Sequence, residues 1–275
     1  MSRPRFSMVS CRSTTPCRCR SQSRCKRRGI GLWLIAPSSP SVRAAFPDLH
    51  GDIERIVTAL DREPAAVTID RIGGDQQTVP FHRGDLAYAV RGALYNPRRV
   101  ADLPAEIHHA AETANYSYFA QALYGRSAAI LGEALSLGLH LSVYCREDVP
   151  RLSDVDALAA TAGTLLGDYL MRQYQAGCDA WPVEPAPMDW YRPFSSDIPV
   201  LLLSGRYDPT TPDAAAELAR KSFPNSAHLV VGDAGHGAGA GCAREVVEDF
   251  LVTTNLPDDE AICRDQRIEF ATGSR

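Results

Sequence analysis

At 275 residues, 45% of them hydrophobic, the chain is long enough to bury a sizeable core and to form one or two domains. Its net charge of −4 and pI near 6.0 argue against nucleic acid as a partner. No apolar run approaches the roughly 18 residues that a membrane span requires, so a transmembrane helix is not expected.

The charge is unevenly spread. Nine of the 29 Lys and Arg fall in residues 1–29, which hold no acidic residue, so the other 20 face 33 Asp and Glu in the body. Residues 1–43 read as a disordered, basic head rich in Ser, Arg and Cys, with a turn-rich junction at 36–43. Ile30–Ala36 is the candidate apolar core of an export signal, and the Arg27–Arg28 pair ahead of it resembles a twin-arginine signal. A plain disordered tail is the alternative. Cys11, Cys17, Cys19 and Cys25 match no zinc spacing. Cys145, Cys178, Cys242 and Cys263 are compatible with two disulfides or with buried thiols.

From Ala44 the periodicity predicts a helix to Arg62, with Leu49, Ile53, Ile56, Val57 and Leu60 on one stripe. Two short strands follow, Ala66–Arg71 and Gln77–Phe81, around a Gly73–Gly74 turn. Helices are then expected over 83–94, 99–123 with breaks near Pro104 and Asn115, 125–137 and 154–176; Leu139–Tyr144 reads as a short strand. The whole of 44–190 is therefore mainly helical, and the proline-broken loop 178–197 marks a boundary. In the segment 191–265, Ile198–Leu203 and Ala227–Val231 read as buried strands. Pro212–Lys221, with a Thr cap, and Ala243–Thr253 read as helices. That order is a parallel strand–helix–strand unit of an α/β fold. Residues 266–275 form a tail.

Two loops in this segment carry the chemistry. L-S-G-R-Y-D-P-T-T-P (203–212) follows the first strand and G-D-A-G-H-G (232–237) follows the second. Asp208 and His236 therefore share the carboxyl edge of the sheet, where active sites of open α/β sheets collect. A histidine acting as base presents one ring nitrogen to a nucleophile, and a carboxylate at the other fixes its tautomer. G-H-G-A-G-A-G does not fit a nucleotide-binding spacing.

The stretch from I-P-V-L-L-L-S-G-R-Y-D-P-T-T-P to H-L-V-V-G-D-A-G-H-G resembles the carboxyl-terminal end of α/β-hydrolases. The nearest likeness is to tripeptidyl-aminopeptidase-like and proline-iminopeptidase-like serine peptidases. A-A-F-P-D-L (44–49), L-S-V-Y-C-R-E-D-V-P (141–150) and C-D-A-W-P (178–182) resemble the cap of that group, extending the likeness over about 40–263. The resemblance implies Asp208 as triad acid and His236 as triad base. It also implies a Cys242–Cys263 disulfide, a Cys145–Cys178 disulfide, and an extracellular or cell-envelope location. Glu147 and Asp148 would hold a substrate's amino terminus, or else form a solvated turn. Trp181, Trp190 and Tyr191 would line an apolar pocket or pack within the cap.

The family's nucleophile sits in a G-x-S-x-G elbow, and the sequence has none. G-R-S-A-A places Ser127 in a helical setting without the last glycine, and Ser204 precedes the acid, where it is expected to support the loop. The oxyanion loop and most sheet strands of the family are likewise unmatched. The expected architecture is the C-terminal part of an α/β-hydrolase sheet, about two parallel strands with helices, preceded by a helical cap and without the N-terminal half. Such a chain is expected to be inactive alone; an esterase-type hydrolase and a non-catalytic peptide-binding remnant are the alternatives. A peptide or small ester is the implied ligand, a missing N-terminal half the implied partner, and no cofactor or metal is implied. His108–His109 lacks spaced partners and reads as helix surface, not as a metal site.

Overall fold

The computed structural model describes residues 39–125, 136–162, 164–192 and 194–273. The basic head, the candidate signal and Ser127 lie outside these residues. The chain divides into a larger compact unit, Leu34–Leu135 with Pro187–Arg275, and a smaller one that includes Ser136–Ala186.

The larger unit opens with α1 (Pro40–Ala45) and α2 (Leu49–Arg62). The single helix expected over 44–62 is two, because Pro47 disfavours helical backbone at Phe46. Asp48 then caps a fresh start by accepting from the Gly51 amide at 3.0 Å. Leu49, Asp52, Ile56 and Leu60 form the buried stripe of α2. Strands β1 (Ala65–Asp70) and β2 (Gln76–Phe81) pair antiparallel, with Val67 opposite Val79. Gly73 and Gly74, at φ of +100° and +92°, make the reversal that other residues resist.

Helices α3 (Arg83–Ala93), α4 (Pro97–Thr113) and α5 (Ser117–Tyr124) complete the first stretch. Pro104 does not break α4: it removes one backbone donor, but Leu103, Ile107 and Ala110 bury the same face and hold the helix together. The break comes at Ala114, whose left-handed backbone ends the helix.

In the smaller unit, α6 (Leu137–Glu147) replaces the short strand expected at 139–144. A short apolar run does not by itself separate strand from buried helix. Here Ser136 caps the Leu139 amide at 3.4 Å and a helix follows. Helices α7 (Asp154–Thr161) and α8 (Tyr169–Asp179) stand where one helix was expected. Cys145 on α6 is bonded to Cys178 on α8, and the Trp181 indole donates to Ser142 Oγ at 3.1 Å.

The chain then returns to the larger unit as β3 (Val200–Gly205), α9 (Asp213–Arg220), β4 (Ser226–Val231) and α10 (Arg244–Thr253). β3 and β4 are parallel, with Leu203 opposite Leu229. Pro212 sits just before α9, in extended backbone, rather than in its first turn. Thr211 does not cap the helix, because its hydroxyl is bound to Asp208. Val231, Ala238, Ala243 and Cys263 form a core cluster, and Cys263 is bonded to Cys242. The main-chain bond from Ala271 N–H to Ala101 O, 3.0 Å long, fastens the tail to α4.

The Cys242–Cys263 bridge closes a loop across a separation of 21 residues, for which chain entropy alone predicts about 3 kcal/mol of stabilisation. Cys263→Ser is therefore expected to lower the thermal unfolding midpoint by several degrees. An unchanged midpoint, with the bridge verified by mass spectrometry in the parent protein, would contradict this.

Candidate active site

The site is built where β3 and β4 end. Beyond Gly205 the loop is stitched to its neighbour: Arg206 N–H donates to Val231 O and Tyr207 N–H to Ala234 O, both at 3.0 Å. A Cβ on Gly205 would collide with the Gly235 carbonyl, and one on Gly235 with the carbonyls of Leu94 and Tyr95. Only glycine lets the strand end, the second loop and the end of α3 approach this closely.

Asp208 follows, with its side chain only 4% exposed. Its Oδ1 accepts from the amides of Thr210 at 2.8 Å and Thr211 at 2.9 Å. Its Oδ2 accepts from the Thr211 hydroxyl at 2.7 Å and pairs with His236 Nδ1 at 2.9 Å. Burial is the largest single influence on this carboxyl and pushes its pKa up. The hydrogen bonds from Thr211, Thr210 and His236 together outweigh it and hold the pKa below the ordinary 3.8. An ionised Asp208 places the donating proton on Nδ1 of a neutral His236, leaving Nε2 as the basic nitrogen. The His236 side chain is 43% exposed, so the base is open to solvent while its acid is not.

A second layer comes from the first stretch of the chain. Thr210 Oγ1 lies 2.9 Å from Arg91 Nη2, which donates to it, and 2.5 Å from the Tyr95 hydroxyl. The Tyr95 ring lies against His236, centroids 4.9 Å apart, and the Arg91 guanidinium lies over the Tyr95 ring, 5.3 Å from its centroid. Arg91 and Tyr95 therefore support both members of the pair. Sequence reading missed them, since nothing in R-G-A-L-Y points to loops more than a hundred residues away.

A second serine–histidine–carboxylate chain lies nearby in β3, β4 and α9. Ser204 Oγ is 2.9 Å from His228 Nε2, and His228 Nδ1 is 2.6 Å from Glu217 Oε1. Ser204 does not support the 205–211 loop as expected. In the parallel register Leu202 is opposite His228, so Ser204 lies two residues further along β3 on the same sheet face. Ser204 and His228 are only 2% and 3% exposed, so no substrate reaches the hydroxyl. This chain is a cross-strand polar tie; the hydrogen bond from His228 is the main reason the Glu217 carboxyl titrates low.

Glu147 and Asp148 lie at the end of α6 in the smaller unit, following a helix and not a strand. Burial, then the charge of Glu147, pushes the Asp148 carboxyl up, and Arg151 opposes the shift. Trp181 belongs to the smaller unit, Trp190 and Tyr191 to the larger. His108 is not simple helix surface: its Nδ1 pairs with Asp52 of α2 at 3.0 Å.

Residues 163–263 match the family described as TAP-like protein. The match supports an α/β-hydrolase superfamily member. It encloses β3, α9, β4, Asp208 and His236. The mixed helical and parallel-strand build is consistent with the α/β class. No helix among the described residues is long and apolar enough to cross a membrane. No curated protein matches the chain.

Two measurements test the site. Asp208→Asn removes the charged acceptor at Nδ1, so the hydrogen-bonded Nδ1–H proton of His236 is expected to move upfield in NMR and to exchange faster with water; an unmoved resonance would mean the contact is not formed. The depressed Asp208 pKa also gives a signed dependence: its stabilisation is complete above the ordinary 3.8 and is lost as pH falls through the lower folded value. The stability advantage over Asp208→Asn should shrink there and not at neutral pH. Ser204→Ala strips His228 of a buried partner and is expected to cost roughly 1–3 kcal/mol in denaturant melts, without moving the Nδ1–H resonance of His236.

Proposed function

We propose that this chain carries the acid–base part of a serine α/β-hydrolase of the tripeptidyl-aminopeptidase or proline-iminopeptidase type, and that alone it turns over neither peptides nor esters. The observation that carries the reading is the Asp208–His236 pair, 2.9 Å apart on loops that leave two parallel strands at the same edge. In that chemistry the histidine takes a proton from a serine hydroxyl as it attacks the scissile carbonyl, and the carboxylate stabilises the resulting imidazolium.

The serine is what the sequence lacks. It contains no G-x-S-x-G elbow, and Ser204 is buried in a different network. A base without a nucleophile and without oxyanion donors leaves little transition-state stabilisation. The complementary half of such a fold would have to supply both. The substrate class rests on resemblance: release of single residues or short peptides from amino termini, with Glu147 and Asp148 as the groups that would bind the terminal ammonium.

Treatment of the purified chain with a fluorophosphonate probe, followed by peptide mapping, tests the reading. No labelled serine is expected, nor any release of chromophore from amino-terminal peptide or short-chain ester substrates. Stoichiometric labelling at one serine, abolished in His236→Ala, would falsify it. Ester turnover without amide turnover would redirect the assignment to an esterase.

A further inference from the structure

Away from the strand ends, α2 and α4 bring together three residues of metal-binding chemistry. Asp52 comes from the first turn of α2; His108 and Glu112 come from α4, four residues apart and therefore on one helix face. One ligand atom from each lies within 4.8 Å of the others. Asp52 Oδ2 and His108 Nδ1 are 3.0 Å apart. Tetrahedral zinc with bonds near 2.0–2.1 Å sets neighbouring ligands about 3.3 Å apart, so this edge is close to a coordination edge and needs little adjustment.

The surroundings suit a cation. The Asp52 side chain is 3% exposed, and both of its oxygens are engaged, one by His108 and the other by Arg55. Arg55 Nη2 also donates to Glu112 Oε1 at 3.1 Å, so one guanidinium bridges the two carboxylates. With a neutral imidazole, two carboxylates and one guanidinium leave a net charge of −1. A divalent ion in place of the guanidinium brings the cluster to neutrality. Arg55 is free to give way, since its side chain is half exposed and borders an open groove lined by Gly51, Glu54, Thr58, Ala59 and Arg62. His108 and Glu112, 39% and 58% exposed, leave a solvent side through which an ion enters and a water completes the shell. The Phe46 ring, 5.3 Å from that of His108, limits how far the imidazole swings.

We propose that Asp52, His108 and Glu112 form a three-ligand site for a divalent transition metal of the zinc type, with Arg55 as an internal cation that competes for it. One nitrogen and two carboxylate oxygens favour such an ion over hard calcium, which seeks six or more oxygens. Ligation through Nδ1 requires the histidine proton to sit on Nε2, so metal and the Asp52–His108 hydrogen bond are alternatives. The site is independent of the hydrolase reading, since it shares no residue with Asp208 and His236.

Titration of the chelator-treated full chain with cobalt(II), then displacement by zinc, tests this. A nitrogen–oxygen site gives weak visible bands and no thiolate-to-metal absorption in the near ultraviolet, which separates it from any binding at the amino-terminal cysteines. One equivalent is expected to bind, and both His108→Ala and the more exposed Glu112→Gln should abolish that binding. Arg55→Ala should tighten it roughly tenfold, because the competing state is removed. Circular dichroism melts of the metal-free variants show whether each is folded, and Glu112→Gln, on the surface, keeps the test decisive if His108→Ala unfolds. Cobalt binding that survives both ligand substitutions overturns the proposal. So does binding seen only in Arg55→Ala, which would make Arg55 a permanent counter-ion.

Discussion

Asp208 receives four hydrogen bonds on two oxygens while almost shut off from water, and the strand-end loops are arranged to keep it so. A carboxylate that deep in the protein is costly unless its oxygens are satisfied. Here the backbone of the next three residues turns back to do that, with the Thr211 hydroxyl as third donor. The histidine supplies the last bond. Three of the four donors come from the acid's own loop, so His236 supplies only one of the bonds that position the carboxylate. Gly205 and Gly235 then set how near the two loops come.

Much of this was legible in the sequence, because its causes are local. Strands β3 and β4 are short apolar runs, and Asp208 and His236 follow them in turn-rich strings whose glycines and prolines mark the loops. Helix and strand were confused at Leu139–Tyr144, where an apolar run is compatible with both and the choice depends on packing and on the Ser136 cap. Pro104 was read as a break, yet a buried helix face outweighs one missing hydrogen bond. The Phe46–Pro47–Asp48 interruption was missed although its signals, a proline and a capping aspartate, were present.

What the sequence hid depends on partners distant in the chain. Tyr95 and Arg91 meet Thr210 across 115 and 119 residues. His108 meets Asp52 across 56, which is why a histidine pair on an amphipathic helix reads as surface until the facing helix is placed. The Ser204–His228–Glu217 tie has a sequence signal of a kind, since parallel strands with alternating faces put residues 204 and 228 on one side. Its likeness to a catalytic relay is a lesson in burial: the same three groups in the same order hold a sheet together when the hydroxyl has no route to solvent.

The placement of the two cystines has a further consequence. Cys145–Cys178 closes within the smaller unit, and Cys242–Cys263 within the last stretch of the larger one. Neither ties residues 39–125 to the loops that bear Asp208 and His236. The hold of residues 39–125 on the last stretch, through Arg91 and Tyr95 at the Asp208 loop and through the Ala101–Ala271 main-chain bond at the tail, is therefore wholly noncovalent. A chain nicked between residue 125 and Cys145, or between Cys178 and residue 194, would run as separate pieces on a denaturing gel even without reductant, whereas a nick between the two cysteines would leave the pieces joined. In native solution, packing alone would decide whether the histidine keeps its tyrosine neighbour.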